Sequence, residues 1–267
     1  MNDIRIIDTH CHLDFNELKT RLDEVIKDAK INNVTDMVTI STNLSRIDTI
    51  KDISEQYQEV FFTVGVHPNE AHKDKQYDDH HFIENYSNHE KCVGIGEGGL
   101  DYYYNMENMK LQKKSLEVQI NVARSTNLPM IIHSRDADND MIEILKSEYK
   151  NGPFRAILHC FSSGEELAYC GLDLDFFISF SGILTFNSAK NIQKIAKNIP
   201  LSKILVETDS PYLAPSPVRG SVNEPKNCIH TAKFLSKLRN VNFFDLSETL
   251  FNNSLTIYDK IKFWKDK

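Results

Sequence analysis

Short apolar, β-branched runs punctuate the chain at residues 4–9, 36–41, 60–66, 92–97, 129–133, 155–159, 176–180 and 204–208. Continuous runs of this length, rather than alternating ones, are the pattern of strands covered on both faces. A second period lies between them. Leu18, Leu22, Val25, Ile26 and Ala29 fall on one face of a helix, as do Leu116, Ile120 and Ala123, and again Ile192, Ile195, Ala196 and Ile199. Strands alternating with helices predict a parallel sheet. Eight such alternations in 267 residues predict an α/β fold: a single (β/α)8 TIM barrel, one domain over residues 1–267. No GxGxxG follows the first run, so an open dinucleotide-binding sheet has no support. Residues 243–267 read as one extra C-terminal helix packed against the outside.

Composition narrows the function without choosing it. Hydrophobic residues make up 40% of the chain, enough for a sizeable core. No apolar run approaches the ~18 residues that cross a bilayer. The start, MNDIRIIDTH, lacks the basic opening and apolar stretch of a signal peptide. Five cysteines without a CxxC pair read as reduced thiols, so the expectation is a cytoplasmic protein with no membrane contact. Cys11 and Cys160, beside polar strand ends, are expected to alternate to the opposite face. The net charge of −7 repels polyanions, so any nucleic-acid binding must come from a local site.

The polar residues at the ends of the apolar runs carry the chemistry. They are His10 and His12 in DTHCH, Glu97 in GIGEGG, His133 in MIIHS, His159 in AILHC and Asp209 in VETDS. Each has a bland reading when taken alone: a packed neutral histidine, a solvated loop glutamate, a turn-capping aspartate. A barrel, however, gathers the carboxyl ends of its strands around one mouth. His10 and His12, two apart on a strand, face the same way. Four imidazoles and two carboxylates around one point make a divalent-metal centre. Imidazole favours Zn, Mn, Co or Fe over Mg, which prefers oxygen.

The ordered set HCH, GVHP, GEGGLDYY, IHSR, HCFSSG, ETDSPYL and RGSVNEP resembles the TatD family of metal-dependent deoxyribonucleases, members of the amidohydrolase superfamily. The resemblance runs from about residue 6 to residue 230. It implies a two-metal hydrolase, with His10, His12 and Asp209 on one ion, His133 and His159 on the second, and Glu97 as the bridge. It also implies activity with Mg or Mn, so Zn, Mn and Mg all stay open. The family's usual GEIGLDY reads GEGGLDY here, and Gly98 is expected to loosen the loop that carries Glu97.

A two-metal site of this kind would activate a water for attack on phosphorus, with Asp209 and Glu97 as the expected catalytic carboxylates and Asp209 as proton shuttle. Arg135 is a candidate phosphate fork. Arg219, Asn223 and Glu224, in the proline-stiffened loop after the last strand, are candidates for the substrate pocket, as is His67 in GVHP. Tyr102, Tyr103 and Tyr104 are able to stack on bases. The expected substrate is DNA, single-stranded or at an end, removed exonucleolytically. Two other readings stay open: an amidohydrolase acting on a C–N or ester bond, such as an aminoacyl-tRNA deacylase, and a non-catalytic metal-binding protein. The oligomeric state is open, and a monomer is compatible with the sequence.

Overall fold

The computed structural model describes residues 4–74, 76–104 and 106–265. Eight parallel strands follow one another in chain order: β1 (Ile6–Cys11), β2 (Val34–Thr39), β3 (Val60–Val64), β4 (Cys92–Asp101), β5 (Met130–Arg135), β6 (Ala156–Leu158), β7 (Phe177–Phe180) and β8 (Ile204–Val206). Helices alternate with them: α1 (Asn16–Lys19), α2 (Leu22–Ile31), α3 (Ile47–Gln56), α4 (His80–Ser87), α5 (Met109–Thr126), α6 (Asp138–Asn151), α7 (Glu165–Asp173) and α8 (Lys190–Asn198). Three more, α9 (Cys228–Arg239), α10 (Phe243–Ile257) and α11 (Asp259–Lys265), complete the chain. The barrel expected from the alternation is present. Consecutive strands are paired from β1 to β8. The join between β8 and β1 is thinner: His12 N–H donates to the Ser210 carbonyl at 2.8 Å, and Asp209 N–H to the His10 carbonyl at 2.9 Å.

Alternation along the strands separates two cores. Met37, Phe62, Ile95, Ile132 and Ile178 face the helices. Val38, Phe61, Val93, Ile131, Ile157, Phe177 and Leu205 face inward and fill the barrel's lower half. Ile257, Tyr258 and Ile261 belong to that inner cluster, with Trp264 packed against it. The C-terminal segment is therefore two helices rather than one, and it plugs the barrel floor as well as covering its outside. The break falls at Tyr258, whose φ of −98° and ψ of 58° leave the helical region. Its buried ring enters the floor, and its hydroxyl donates to the Thr9 carbonyl at 3.1 Å.

The first helical segment is also divided, at Arg21 (φ −143°, ψ 36°). Leu18, Val25, Ile26 and Ala29 nevertheless all stay buried, as the periodicity requires. Among the described residues, no helix is long and apolar enough to cross a membrane.

Candidate metal centre

Side chains from five strand ends meet at the mouth of the barrel, and Glu97 lies at their centre. Its Oε1 is 3.8 Å from His12 Nε2. Its Oε2 is 3.8 Å from His10 Nε2, 3.8 Å from His133 Nδ1 and 2.7 Å from His159 Nε2. Asp209 Oδ1 lies 3.6 Å from His10 Nε2 and 3.4 Å from His12 Nε2. One carboxylate thus turns an oxygen to the His12 side and its other oxygen to the His133–His159 side. His10, His12, Glu97 and His159 are buried, while His133 and Asp209 keep a narrow opening on the cleft.

Local sequence explains how Glu97 gets there. A side chain at Gly96 would meet the Ile131 carbonyl at 2.7 Å, and its φ of +126° already excludes most residues. Gly98 does not loosen this stretch, contrary to expectation. A Cβ there would lie 2.6 Å from Gln119 Nε2, because the Gln119 carboxamide fills the space. That carboxamide is fixed by Val66: it accepts from the backbone N–H at 3.1 Å and donates to the carbonyl at 3.0 Å. Every residue of β4 is buried.

Hydrogen-bond partners fix which ring nitrogen faces the centre. His12 Nδ1 meets the Ile40 carbonyl, His159 Nδ1 meets Glu207 Oε1, and His133 Nε2 meets Asp101 Oδ2, each at 3.3 Å. All three partners are acceptors, so each of these nitrogens carries a proton. In its neutral form each ring then presents the lone pair of its opposite nitrogen toward Glu97. His10 is fully buried, and neither of its ring nitrogens has a hydrogen-bond partner; Glu97 Oε2, although 2.7 Å from His159 Nε2, makes no well-aligned hydrogen bond. Converging lone pairs and a carboxylate oxygen so placed in a buried site are costly unless a cation sits among them. The donor set therefore fits divalent metal: His10, His12 and Asp209 form one cluster, and His10, Glu97 and His159 form another.

The electrostatics divide the rings. Burial opposes the Glu97 charge, but His159, His67 and His10 outweigh it and hold its pKa well below the carboxylate range. Burial, reinforced by His159, pushes His10 well below the histidine range, which keeps the ring neutral with one lone pair free. Burial also works against a charged His159, yet Glu97 and Glu207 raise its pKa well above normal. A proton and a cation thus compete for the same Nε2.

The expected substrate residues divide. His67 and Arg135 line the cleft. The Arg135 guanidinium stacks 4.0 Å from the ring centre of Tyr103 and 4.6 Å from that of Tyr104, a face contact that does not occupy its in-plane N–H donors. Tyr102 instead donates its hydroxyl to Asp140. Arg219 is exposed and stacks on Phe186 at 3.9 Å, away from the lining residues. Asn223 is buried, with its carboxamide spent inside the loop: Nδ2 donates to the Thr208 and Tyr212 carbonyls, and Oδ1 accepts from Glu224 N–H and Asn227 Nδ2. Glu224 pairs with Arg21 and Lys226. Asn223 and Glu224 therefore brace the loop after β8, and neither is among the residues that line the cleft. Cys11 is buried in the outer core as expected, but Cys160 turns into the cleft, 3.2 Å from Ser181 Oγ.

Two residues with clear roles escape sequence reading, Asp101 and Glu207, which orient His133 and His159. A weak signal exists for Glu207: it is a carboxylate directly after the apolar run of β8 and two residues before Asp209. Asp101 gives itself away only through the unusual length of β4.

An eight-stranded parallel barrel with an imidazole–carboxylate cluster at its mouth is the architecture of the metal-dependent hydrolases of amidohydrolase fold. The family model for TatD related DNase matches residues 7–259, and the chain belongs to that family. It is 36% identical over 264 residues to an uncharacterized metal-dependent hydrolase of Buchnera aphidicola, covering 95% of this chain and 99% of that one. It is 35% identical to YabD of Bacillus subtilis, covering 95% and 98% of the two chains, and that protein too is described as an uncharacterized metal-dependent hydrolase. The crystal structure of YJJV, a TatD homolog from Escherichia coli, superposes with a TM-score of 0.89 at 25% identity, covering 96% of this chain and 98% of that one.

Proposed function

We propose that this protein is a divalent-metal-dependent deoxyribonuclease that hydrolyses phosphodiester bonds in single-stranded DNA or at a DNA end. The observation that carries this reading is the shape and lining of the cleft above Glu97. Its volume of about 1920 Å³ exceeds the roughly 300–1,000 Å³ of ordinary small-molecule sites. Aromatic and guanidinium groups flank the centre on both sides. Tyr104 and Arg135 stand on one side; Phe15, Tyr212 and Arg46 stand on the other, with Arg46 5.2 Å from the Phe15 ring centre. Exposed ring faces beside a buried metal centre suit splayed bases around a phosphate. This local arrangement also answers the unfavourable net charge.

In this reading His10, His12 and Asp209 would hold one ion and His133 and His159 a second, with Glu97 as the carboxylate they would share. Bound there, a pair of Zn, Mn or Mg ions supplies Lewis acidity that acidifies a water and offsets phosphoryl charge. Asp209 accepts the water proton at its carboxylate, which opens on the cleft, and returns it to the leaving oxygen. Glu207 and Asp101 keep the His159 and His133 lone pairs aimed at the centre. Phe15, stacked on His12 with ring centres 4.8 Å apart, walls off that ligand.

The test is a comparison of substrates with metal-loaded protein: end-labelled single-stranded DNA, a mischarged aminoacyl-tRNA and a cyclic amide. Release of nucleotides from DNA is expected. Efficient turnover of either other substrate, with the DNA left intact, would overturn the reading in favour of an amidohydrolase or a deacylase. Asp209→Asn is expected to lower DNA turnover by about 10²–10⁴-fold while largely keeping bound metal. Full activity in that variant removes the proton-transfer role. Metal analysis of protein purified without chelator identifies the ions.

A further inference from the structure

His67 sits among possible ligands, close to Asp101 and His133, and the three atoms are near enough to hold an ion. The hydrogen bonding argues against a third metal there. Asp101 Oδ1 already accepts from the Tyr103 and Tyr104 backbone N–H groups, each at 3.0 Å. Its Oδ2 accepts from Asn69 Nδ2 at 3.0 Å and from His133 Nε2 at 3.3 Å. No oxygen of that carboxylate is left to a cation.

His67 also differs in kind from the rings around Glu97. The partner of its Nδ1 is not an acceptor but a donor, the Asn69 backbone N–H at 3.0 Å. A backbone amide has only a proton to give, so Nδ1 must hold the lone pair and the neutral ring carries its proton on Nε2. The rule that leaves His12, His133 and His159 with a lone pair facing the centre leaves His67 with an N–H. That Nε2 has no hydrogen-bond partner among the described residues, and the ring lines the cleft beside His133, with centroids 4.6 Å apart.

We propose that His67 is a catalytic hydrogen-bond donor whose Nε2–H, fixed in that tautomer by the Asn69 backbone amide, binds an anionic phosphoryl oxygen of the substrate on the His133 side of Glu97. The proposal rests on the phosphodiesterase reading for the identity of the oxygen; the tautomer stands on the hydrogen bond alone. A donor held in place before the reaction strengthens as charge grows on that oxygen. His67→Phe keeps a ring and removes the donor. Its kcat on a phosphodiester is expected to fall about 10²–10³-fold, with little change in KM. His67→Gln, which returns an N–H near the Nε2 position, is expected to recover most of that loss.

Two readouts do not depend on turnover. Metal content of the purified His67→Phe protein is expected to equal that of the parent; loss of an ion would make His67 a ligand and overturn the proposal. In zinc-loaded protein with ¹⁵N-labelled histidine, long-range ¹H–¹⁵N correlation spectra, assigned by difference from His67→Gln, are expected to show the proton on Nε2. Adding inorganic phosphate is expected to move that proton's resonance. A proton on Nδ1, or a resonance that phosphate leaves in place, would overturn the proposal. Intact phosphodiester with the parent protein would instead count against the nuclease reading, leaving the spectra to decide the role of His67.

Discussion

The two ends of this barrel handle buried polar groups in opposite ways. At the floor, two lysine ammonium groups, Lys91 buried and Lys260 half-buried, are satisfied by backbone carbonyls. Lys260 Nζ donates to the carbonyls of Ser87, His89 and Cys92 at 3.0, 3.0 and 2.9 Å. Lys91 Nζ donates to those of Ser54 and Tyr57, with the Trp264 ring centre 4.5 Å away. At the mouth, His10 and one oxygen of Glu97 are buried yet lack well-aligned hydrogen-bond partners. An unpartnered buried polar group costs about 1–3 kcal/mol, more when charged. The floor spends its polar groups on closure, whereas the mouth holds them in reserve for a ligand.

If that contrast is right, substitutions at the mouth change chemistry and those at the floor change stability. Glu97→Gln is expected to have the largest effect, removing bound metal and lowering turnover by about 10³-fold or more while far-UV circular dichroism keeps the native profile. Metal retained at the parental level in this variant would break the comparison. Ile261→Ala, in the floor plug, is expected to cost about 2–5 kcal/mol in denaturant unfolding with kcat unchanged at 25 °C. A matching loss of activity in folded protein would show that the two ends are coupled.

Smaller effects sharpen the boundary. Asp101→Asn and Glu207→Gln are each expected to weaken metal affinity about 10–100-fold, measured by competition with a chelator, because the His133 and His159 rings lose their orienting carboxylates. The smallest change is at Tyr258→Phe, which gives up the bond to the Thr9 carbonyl. It is expected to cost about 1 kcal/mol of stability with no change in metal content.

The contrast also accounts for how much was legible in the sequence. Strand order and the six central residues follow from local rules: apolar runs mark the strands, and barrel geometry gathers their ends. His10, His12, Glu97, His133, His159 and Asp209 stand out because a polar residue closing an apolar run is conspicuous. Asp101 and Glu207 do not, since their roles depend on contact with rings from other strands. Asn223 and Glu224, expected at the substrate pocket, are held within the loop after β8 for the same reason. Their types suit a pocket, but the fold turns the Asn223 carboxamide onto the Thr208 and Tyr212 carbonyls. Gly98 shows the limit from the other side: its missing side chain is made good by Gln119, twenty-one residues on, which no local pattern reveals. The C-terminal segment kept its helical period across Tyr258, and only the barrel interior explains why the backbone breaks there.

The thin join between the first and last strands has one more consequence. It is held by the amides of His12 and Asp209, in the same short stretches that supply His10, His12 and Asp209 to the centre. An ion gripped by those three would rivet the ring at its least stitched point. Amide exchange at His12 and Asp209 would then report cation occupancy directly, quickening on chelation before the rest of the barrel loosens.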